Sequence, residues 1–204
     1  MAVLTGPNHA EEVGRAMATA AVVASQDHQT SVQIQTALNQ PWLRLYTSDD
    51  ICGAEWCGVL KNCYAIAAGI ASGLGLGDNA TAALVTRALA EMTRLVSALG
   101  GKTVTCQGLA GIGDLMATCY SSHSRNRELG REIGRGRSLS EITGGSHTVA
   151  EGVVNSASLR TLAGKLGVNV PILTEVDQIL RLNKPPALAM RDLLTREPRP
   201  ESDC

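Results

Sequence analysis

Residues 108–130 read GLAGIGDLMATCYSSHSRNRELG and carry side chains suited to holding a phosphate. Ser124, Arg125 and Asn126 supply a hydroxyl, a guanidinium and an amide at the predicted start of a helix. Such groups bind phosphate oxygens, and the free backbone N–H groups of a helix start add to them. An isolated SRNR is also typical of a serine N-cap followed by surface arginines, and that alternative stays open.

A lysine and an aspartate could supply proton transfer beside this phosphate site. Lys61 lies among apolar and small residues of a predicted helix. A buried ammonium must be paired, neutral or turned to a cleft, unless its stem carries it out to solvent. Asp114 follows Gly111 and Gly113, which would let a ligand approach the backbone closely. Facing each other, Lys61 and Asp114 would form a proton-transfer pair; otherwise Asp114 is a plain helix-start carboxylate.

The composition predicts a globular, helix-rich chain that does not bind nucleic acid. Its 204 residues are 44% hydrophobic and only 2% aromatic, so the core must be aliphatic. The formal net charge of −1 leaves no footprint for a polyanion. Arginines cluster between Arg125 and Arg137, which suits a small anion or a solvated helix face.

The chain also lacks the usual signals of metal sites, secretion and membranes. Its six cysteines form no C-x-x-C pair and its histidines have no ligand spacing, so we expect no metal. We see no signal peptide and no apolar run of about 18 residues, so we expect no membrane span. Free thiols and a cytoplasmic location are therefore expected.

The first fifty residues have β-α-β-α-β character. AVLTGP, TAAVVAS and WLRLYTS are strand-like, and NHAEEVGRAM and DHQTSVQIQTALN are helical segments with Asn8 and Asp27 as expected N-caps. Residues 1–50 therefore resemble the end of an α/β domain. A small sheet packed on its own against the helices is the alternative.

From residue 51 the chain is predicted to be helical, which makes the fold class mainly α. Val59, Cys63, Ile66 and Ile70 form one apolar stripe. A second helix is expected to be capped by Asp78 or Asn79, and Ser138-x-x-Glu141 forms a capping box. We assign residues 51–197 to an all-helical domain and residues 198–204 to a loose tail.

The glycine clusters do not form a dinucleotide-binding fingerprint. GLGLGDN has G-x-G-x-G and GLAGIGD has G-x-x-G-x-G, whereas the fingerprint is G-x-G-x-x-G between a strand and a helix. The sequence therefore shows no nucleotide-phosphate loop of its own.

Taken together, several stretches resemble one family. GPNHAEE, GVLKNCYAIAAGIASGLGLGDNATAALVTRALAEM, the 108–130 segment, VAEGV and PI…V occur in the order found in the NAD(P)-dependent glycerol-3-phosphate dehydrogenases of bacterial type. The resemblance covers about residues 3–197. It implies an N-terminal Rossmann domain, of which residues 1–50 would be the last part, and an all-helical domain that completes the substrate site.

The resemblance also implies an activity and its participants. The family transfers hydride reversibly between NAD(P)H and dihydroxyacetone phosphate, giving sn-glycerol 3-phosphate for phospholipid synthesis. NAD or NADP would be the cofactor. Apart from the resemblance, an unpaired edge of the small sheet would favour a homodimer. Since this sequence has neither the glycine-rich loop nor the family's upstream substrate-binding lysine, we expect it to be weakly active or inactive alone.

The family's site residues map onto this chain one by one. Lys61 matches the catalytic lysine and Asp114 the aspartate that positions it and contacts the substrate. The remaining matches are substrate contacts at Gly6, Asn8, Ser124, Arg125 and Asn126, and cofactor neighbours at Ala10, Arg125, Val149 and Glu151.

Two other functions are considered beside this enzyme. One is a non-catalytic helical module that binds a phosphorylated ligand or dimerises, for example through an unpaired sheet edge. The other is a dehydrogenase of the same plan that acts on a hydroxy acid, which the phosphate-binding character of SRNR disfavours.

Overall fold

A computed structural model describes residues 1–144 and 150–201 of the chain. A small α/β unit comes first, followed by a helical body. The strands are β1 (Val3–Thr5), β2 (Thr19–Ala24) and β3 (Leu43–Ser48). The helices are α1 (Ala10–Val13), α2 (His28–Leu38), α3 (Ile51–Gly73), α4 (Gly77–Ala98), α5 (Thr103–Cys106), α6 (Asp114–Tyr120), α7 (Arg125–Gly134), α8 (Leu139–Thr143), α9 (Glu151–Lys165), α10 (Pro171–Leu182) and α11 (Pro186–Leu194). The prediction of a mainly α fold with a small α/β portion is confirmed.

The three strands form one sheet in the order β1-β2-β3. β1 runs antiparallel to β2, with Thr5 opposite Val22, and β2 runs parallel to β3. The central strand β2 is buried along its last four residues. On β3, side chains of α2 and its C-cap bond the backbone of Leu45: Gln35 Nε2 donates to its oxygen at 2.7 Å, and its N–H donates to Asn39 Oδ1 at 3.0 Å. Part of the outer edge of β3 is therefore hydrogen-bonded by α2.

Helix α3 is the central helix of the body. The predicted stripe is correct for Cys63, Ile66 and Ile70, which are buried, but burial extends around nearly the whole second half of the helix. A helix that is apolar on all sides must be surrounded by others, and α4, α6, α7, α9 and α10 all pack on it. Asn62, which follows Lys61, is therefore buried in the protein interior.

Glycines let α7 approach α3 at backbone distance. A Cβ atom on Gly69 would overlap the carbonyl oxygen of Arg127, and one on Gly130 would overlap the carbonyl oxygen of Ile66. Gly73 and Gly134 face each other one turn further along, where a Cβ on Gly73 would lie 2.9 Å from the Gly134 Cα. This G-x-x-x-G pairing fixes the position of α7, and hence of Arg125, relative to Lys61.

Two predicted helix caps are wrong and three are confirmed. His9, not Asn8, is the N-cap residue of α1, and that helix has only four residues. α4 begins at Gly77 after Leu76 without any side-chain cap, so neither Asp78 nor Asn79 has that role. Asp27 caps α2, Ser124 caps α7, and Ser138 with Glu141 forms the capping box of α8.

No helix in the described ranges combines the length and hydropathy needed to span a bilayer.

Candidate functional site

Lys61 and Asp114 form an ion pair of the helical body near its junction with the sheet. Lys61 Nζ lies 2.5 Å from Asp114 Oδ2. The lysine side chain is 22% exposed and the aspartate side chain 5%, so solvent or a ligand reaches the pair from the lysine side. A desolvated ion pair with one open face can exchange a proton with a bound molecule.

Local structure holds Asp114 in this position. A π-helical turn, Leu109–Gly113, leads into α6, of which Asp114 is the first residue. Gly111 is needed in that turn because a Cβ there would overlap the backbone of Cys106. Thr118 Oγ1 lies 2.6 Å from the Asp114 carbonyl oxygen and 3.3 Å from its Oδ1, and Thr5 Oγ1 donates to Oδ2 at 3.4 Å. The carboxylate is therefore fixed from both sides.

The segment after β1 closes one side of the site. Gly6 has φ +135°, a conformation that favours glycine, and a Cβ there would lie 3.1 Å from the Ala21 Cα. A Cβ on Gly113 would lie 3.5 Å from the Pro7 ring, so this segment packs beside the start of α6. His9 Nε2 lies 3.3 Å from the Ala117 carbonyl oxygen. The Gly6-Pro7-Asn8 turn is thus held next to Asp114.

The start of α7 places an exposed arginine beside buried polar groups. Ser124 is buried and its Oγ accepts the Arg127 N–H at 3.2 Å. Arg125 is exposed and makes no hydrogen bond or ion pair with any described residue. It lines a cavity of about 340 Å³ together with Ser124 and Ala150. Ser124 is therefore the N-cap, as one sequence alternative held, while Arg125 stays available for an anion.

Asn126 points into the protein and joins three helices. Its Nδ2 donates to Asn62 Oδ1 at 3.1 Å, and its Oδ1 accepts the Gly152 N–H at 3.0 Å. Asn62 Nδ2 in turn donates to Glu151 Oε2 at 2.9 Å. We call Asn62, Asn126, Glu151 and Gly152 the amide network. It brings together Asn126 and Glu151, both predicted site residues, through a residue adjacent to Lys61.

Three predicted residues have weaker or no structural support from contacts. Asn8 is half-buried and has no hydrogen bond to a described residue, and Ala10 is exposed on α1. Val149 lies outside the described residues. Their assignments, carried over from the family, stay predictions.

The structure adds Asn62, Thr118 and the glycine pairs of α3 and α7 to the residues predicted from the sequence. Asn62 stands within the LKN motif directly after Lys61, and the glycines show G-x-x-x-G spacing in both helices. Both signals were readable, although a polar residue inside an apolar helix and a glycine in a helix each have several causes.

Three buried thiols near the site, those of Cys57, Cys63 and Cys119, are not competing acids or nucleophiles. Burial raises the pKa of Cys63 and of Cys119 to about 12 each. A hydrogen bond with Cys106, whose Sγ lies 3.7 Å away, and burial raise the pKa of Cys57 far above its ordinary range. These three side chains therefore stay protonated and serve packing.

Comparison with known proteins identifies the family. The model for the C-terminus of NAD-dependent glycerol-3-phosphate dehydrogenase matches residues 50–191, and the model for its N-terminus matches residues 1–31. Glycerol-3-phosphate dehydrogenase [NAD(P)+] of Chlorobium phaeobacteroides (strain BS1) is 50% identical over 201 residues, covering 98% of this chain and 60% of that protein. The Moorella thermoacetica protein of the same name is 48% identical, covering 96% of this chain and 58% of its own length.

Solved structures agree with the sequence relatives. The crystal structure of glycerol-3-phosphate dehydrogenase from Coxiella burnetii has a TM-score of 0.92 at 43% identity, covering 96% of this chain and 60% of that one. The yeast glycerol-3-phosphate dehydrogenase has a TM-score of 0.82 at 26% identity, with 95% and 59% covered. The chain spans about 60% of the length of the curated relatives it matches. This chain, whose helical body carries the Lys61–Asp114 pair, belongs to the NAD-dependent glycerol-3-phosphate dehydrogenase family.

Proposed function

We propose that this chain forms the substrate side of a glycerol-3-phosphate dehydrogenase, which interconverts dihydroxyacetone phosphate and sn-glycerol 3-phosphate. The observation that carries the proposal is the Lys61–Asp114 pair, 2.5 Å apart and open on the lysine side. Lys61 donates its proton to the carbonyl oxygen of the substrate, and Asp114 keeps the ammonium in place. Negative charge develops on that oxygen during reduction, so an ammonium there stabilises the transition state more than the ground state.

The phosphate of the substrate binds at the start of α7. Arg125 is the free cation of the 340 Å³ cavity, because the two carboxylates in its wall are already paired: Glu128 with Arg131 at 2.6 Å and Glu132 with Arg135 at 3.0 Å. Binding energy from this remote phosphate orients the reacting carbonyl toward Lys61. Gly6 and Asn8 contact the substrate from the opposite side, and Ser124 and Asn126 line the phosphate end.

The residues present fit only the nicotinamide end of a cofactor. In its reduced form, NAD or NADP would supply the hydride for the reduction when bound, and in its oxidised form it would accept the hydride in the reverse direction. Glu151, fixed by Asn62 at the exposed start of α9, and Arg125 would lie beside the nicotinamide side, with Ala10 and Val149 as further neighbours. The sequence contains no G-x-G-x-x-G segment to hold the pyrophosphate. We therefore expect weak cofactor binding and weak or no turnover by this chain alone.

We further propose a cytoplasmic location and a homodimer. The first follows from the family's small phosphorylated substrate and the free thiols of Cys52, Cys57, Cys63, Cys106 and Cys119. The second rests on the sheet: Gln35 and Asn39 already bond Leu45 on the outer edge of β3, which leaves β1 as the edge strand for contact with a second copy. Light scattering of the purified chain tests the assembly, and a monomeric mass would refute it.

A ligand series tests the function. Isothermal titration of the chain with glycerol 3-phosphate, glycerol and lactate should show binding of the phosphate ester alone. Lactate binding equal to that of glycerol 3-phosphate would instead support a hydroxy-acid dehydrogenase. Any loss of NADH absorbance with dihydroxyacetone phosphate should disappear in Lys61→Ala, and turnover that survives this change would refute the role of Lys61.

A further inference from the structure

Helix α9 begins without a cap of its own. Its N-cap residue is Ala150, whose side chain offers no acceptor. The first N–H groups of a helix need outside partners, and the Gly152 N–H finds one in Asn126 Oδ1 of α7 at 3.0 Å. Only glycine fits at position 152, since a Cβ there would lie 2.7 Å from Ile66 Cδ1 and 2.8 Å from the Asn62 carbonyl oxygen.

Asn62 uses both ends of its amide to join this contact to Glu151. Its oxygen accepts from Asn126 and its nitrogen donates to Glu151 Oε2. It is only 7% exposed, so it does not reach the open face of the site itself. Because the amide has one acceptor end and one donor end, each neighbour is held in a defined orientation. No aliphatic or singly charged side chain of this size satisfies both neighbours.

We propose that Asn62 is a positioning residue that sets where Asn126 and Glu151 stand relative to Lys61. The proposal rests on the proposed function, because the two residues it orients are assigned to that substrate and cofactor site. Asn62 lies directly after Lys61, so the same turn of α3 holds both the proton donor, Lys61, and the amide that orients its neighbours, Asn62. Buried amides with every partner satisfied rigidify the groups that they bind.

Asn62→Asp strains the network at one contact. The Asp side chain has the same shape, but it places a carboxylate against Glu151 Oε2 where a donor stood, and the repulsion should displace the side chain that holds the Asn126 amide at the substrate site. In Asn62→Asp combined with Glu151→Gln, the side chain at position 151 donates and the one at position 62 accepts, which reverses the wild-type hydrogen bond. The net charge is that of the wild type. Asn155→Asp adds the same charge one turn further along α9 and is the matched control.

The measurement is isothermal titration with glycerol 3-phosphate, reading the dissociation constant separately from the fraction of competent sites. We expect Asn62→Asp to raise the dissociation constant by roughly tenfold, the double variant to return within about threefold, and Asn155→Asp to change it by less than about threefold. If Asn62 served only to stabilise the fold, Asn62→Asp would lower the fraction of competent sites and leave the dissociation constant unchanged.

The outcomes separate this role from the proposed function. An unchanged dissociation constant in Asn62→Asp, or a double variant that is no better than Asn62→Asp, would overturn the role of Asn62 alone. Equal loss in Asn155→Asp would overturn it as well, since charge would then explain the effect. A wild-type chain that binds no glycerol 3-phosphate would overturn the proposed function and this role with it.

Discussion

Alanine at Gly130 should destabilise the chain although alanine is the better helix former. The new Cβ would overlap the Ile66 carbonyl oxygen and lie 2.9 and 3.0 Å from the Ile66 C and Cα atoms. These are backbone atoms of α3, which cannot rotate away. Overpacking of this kind costs about 3 kcal/mol, against a helix-propensity gain of about 1 kcal/mol, so we expect a net loss of about 2 kcal/mol.

Gly164→Ala is the matched control for this change. Gly164 lies within α9, and a Cβ there would meet nothing within 4 Å. The same substitution should therefore raise the free energy of unfolding by about 0.5–1 kcal/mol. Urea unfolding followed by circular dichroism measures both variants. A Gly130→Ala chain as stable as the wild type would refute the close contact between α3 and α7.

Two further predictions concern buried carboxylates. Burial raises the pKa of Glu91 to about 7 against the backbone hydrogen bonds that lower it, so the folded chain keeps a proton that the unfolded chain releases above pH 4.5. The free energy of unfolding should therefore fall by roughly 3 kcal/mol as the pH rises from 4.5 to about 7. In urea unfolding, Glu91→Gln should reduce this dependence on pH; a dependence equal to that of the wild type would contradict the assignment. At Asp50, burial alone would raise the pKa, but hydrogen bonds from the Thr105 hydroxyl and two backbone N–H groups outweigh it and lower the pKa. The stability that the Asp50 carboxylate contributes is therefore present above pH 3.8 and lost as the pH falls through the lower pKa of the folded state. At neutral pH, Asp50→Ala should lower the free energy of unfolding by about 1–2 kcal/mol. Equal thermal unfolding of this variant and the wild type would refute this.

The helices and strands were largely readable from local patterns. Apolar periodicity located α3 and α4, and side-chain capping predicted the starts of α2, α7 and α8 correctly. The two wrong caps share a cause. At α1 and α4 the chain enters the helix from a turn fixed by tertiary packing, so the nearest Asx residue is not placed to bond the first N–H groups.

The site was less predictable because its geometry depends on long-range contacts. Lys61 and Asp114 are 53 positions apart, and only folding shows that they pair. Whether Lys61 reached solvent or faced a partner depended on how α6 packs against α3, which no local pattern predicts. Likewise, the sequence predicts Asn126 as a substrate-phosphate contact, but its partners Asn62 and Gly152 are 64 and 26 positions away, and only folding brings them together. The motifs identify which residue types belong to the site, whereas the packing of α7 and α9 on α3 determines where their side chains point.

The central claim is that Arg125 and Lys61 hold a phosphorylated three-carbon substrate, and a pair of arginine variants tests it most directly. Arg125 is free among the described residues, whereas Arg135, near the other end of α7, is already paired with Glu132 at 3.0 Å. Charge-assisted bonds to a phosphate are worth about 1.5–3 kcal/mol. In isothermal titration with glycerol 3-phosphate, we therefore expect Arg125→Ala to weaken binding about 10- to 100-fold and Arg135→Ala to weaken it less than about threefold. Equal affinities of the two variants would contradict the account.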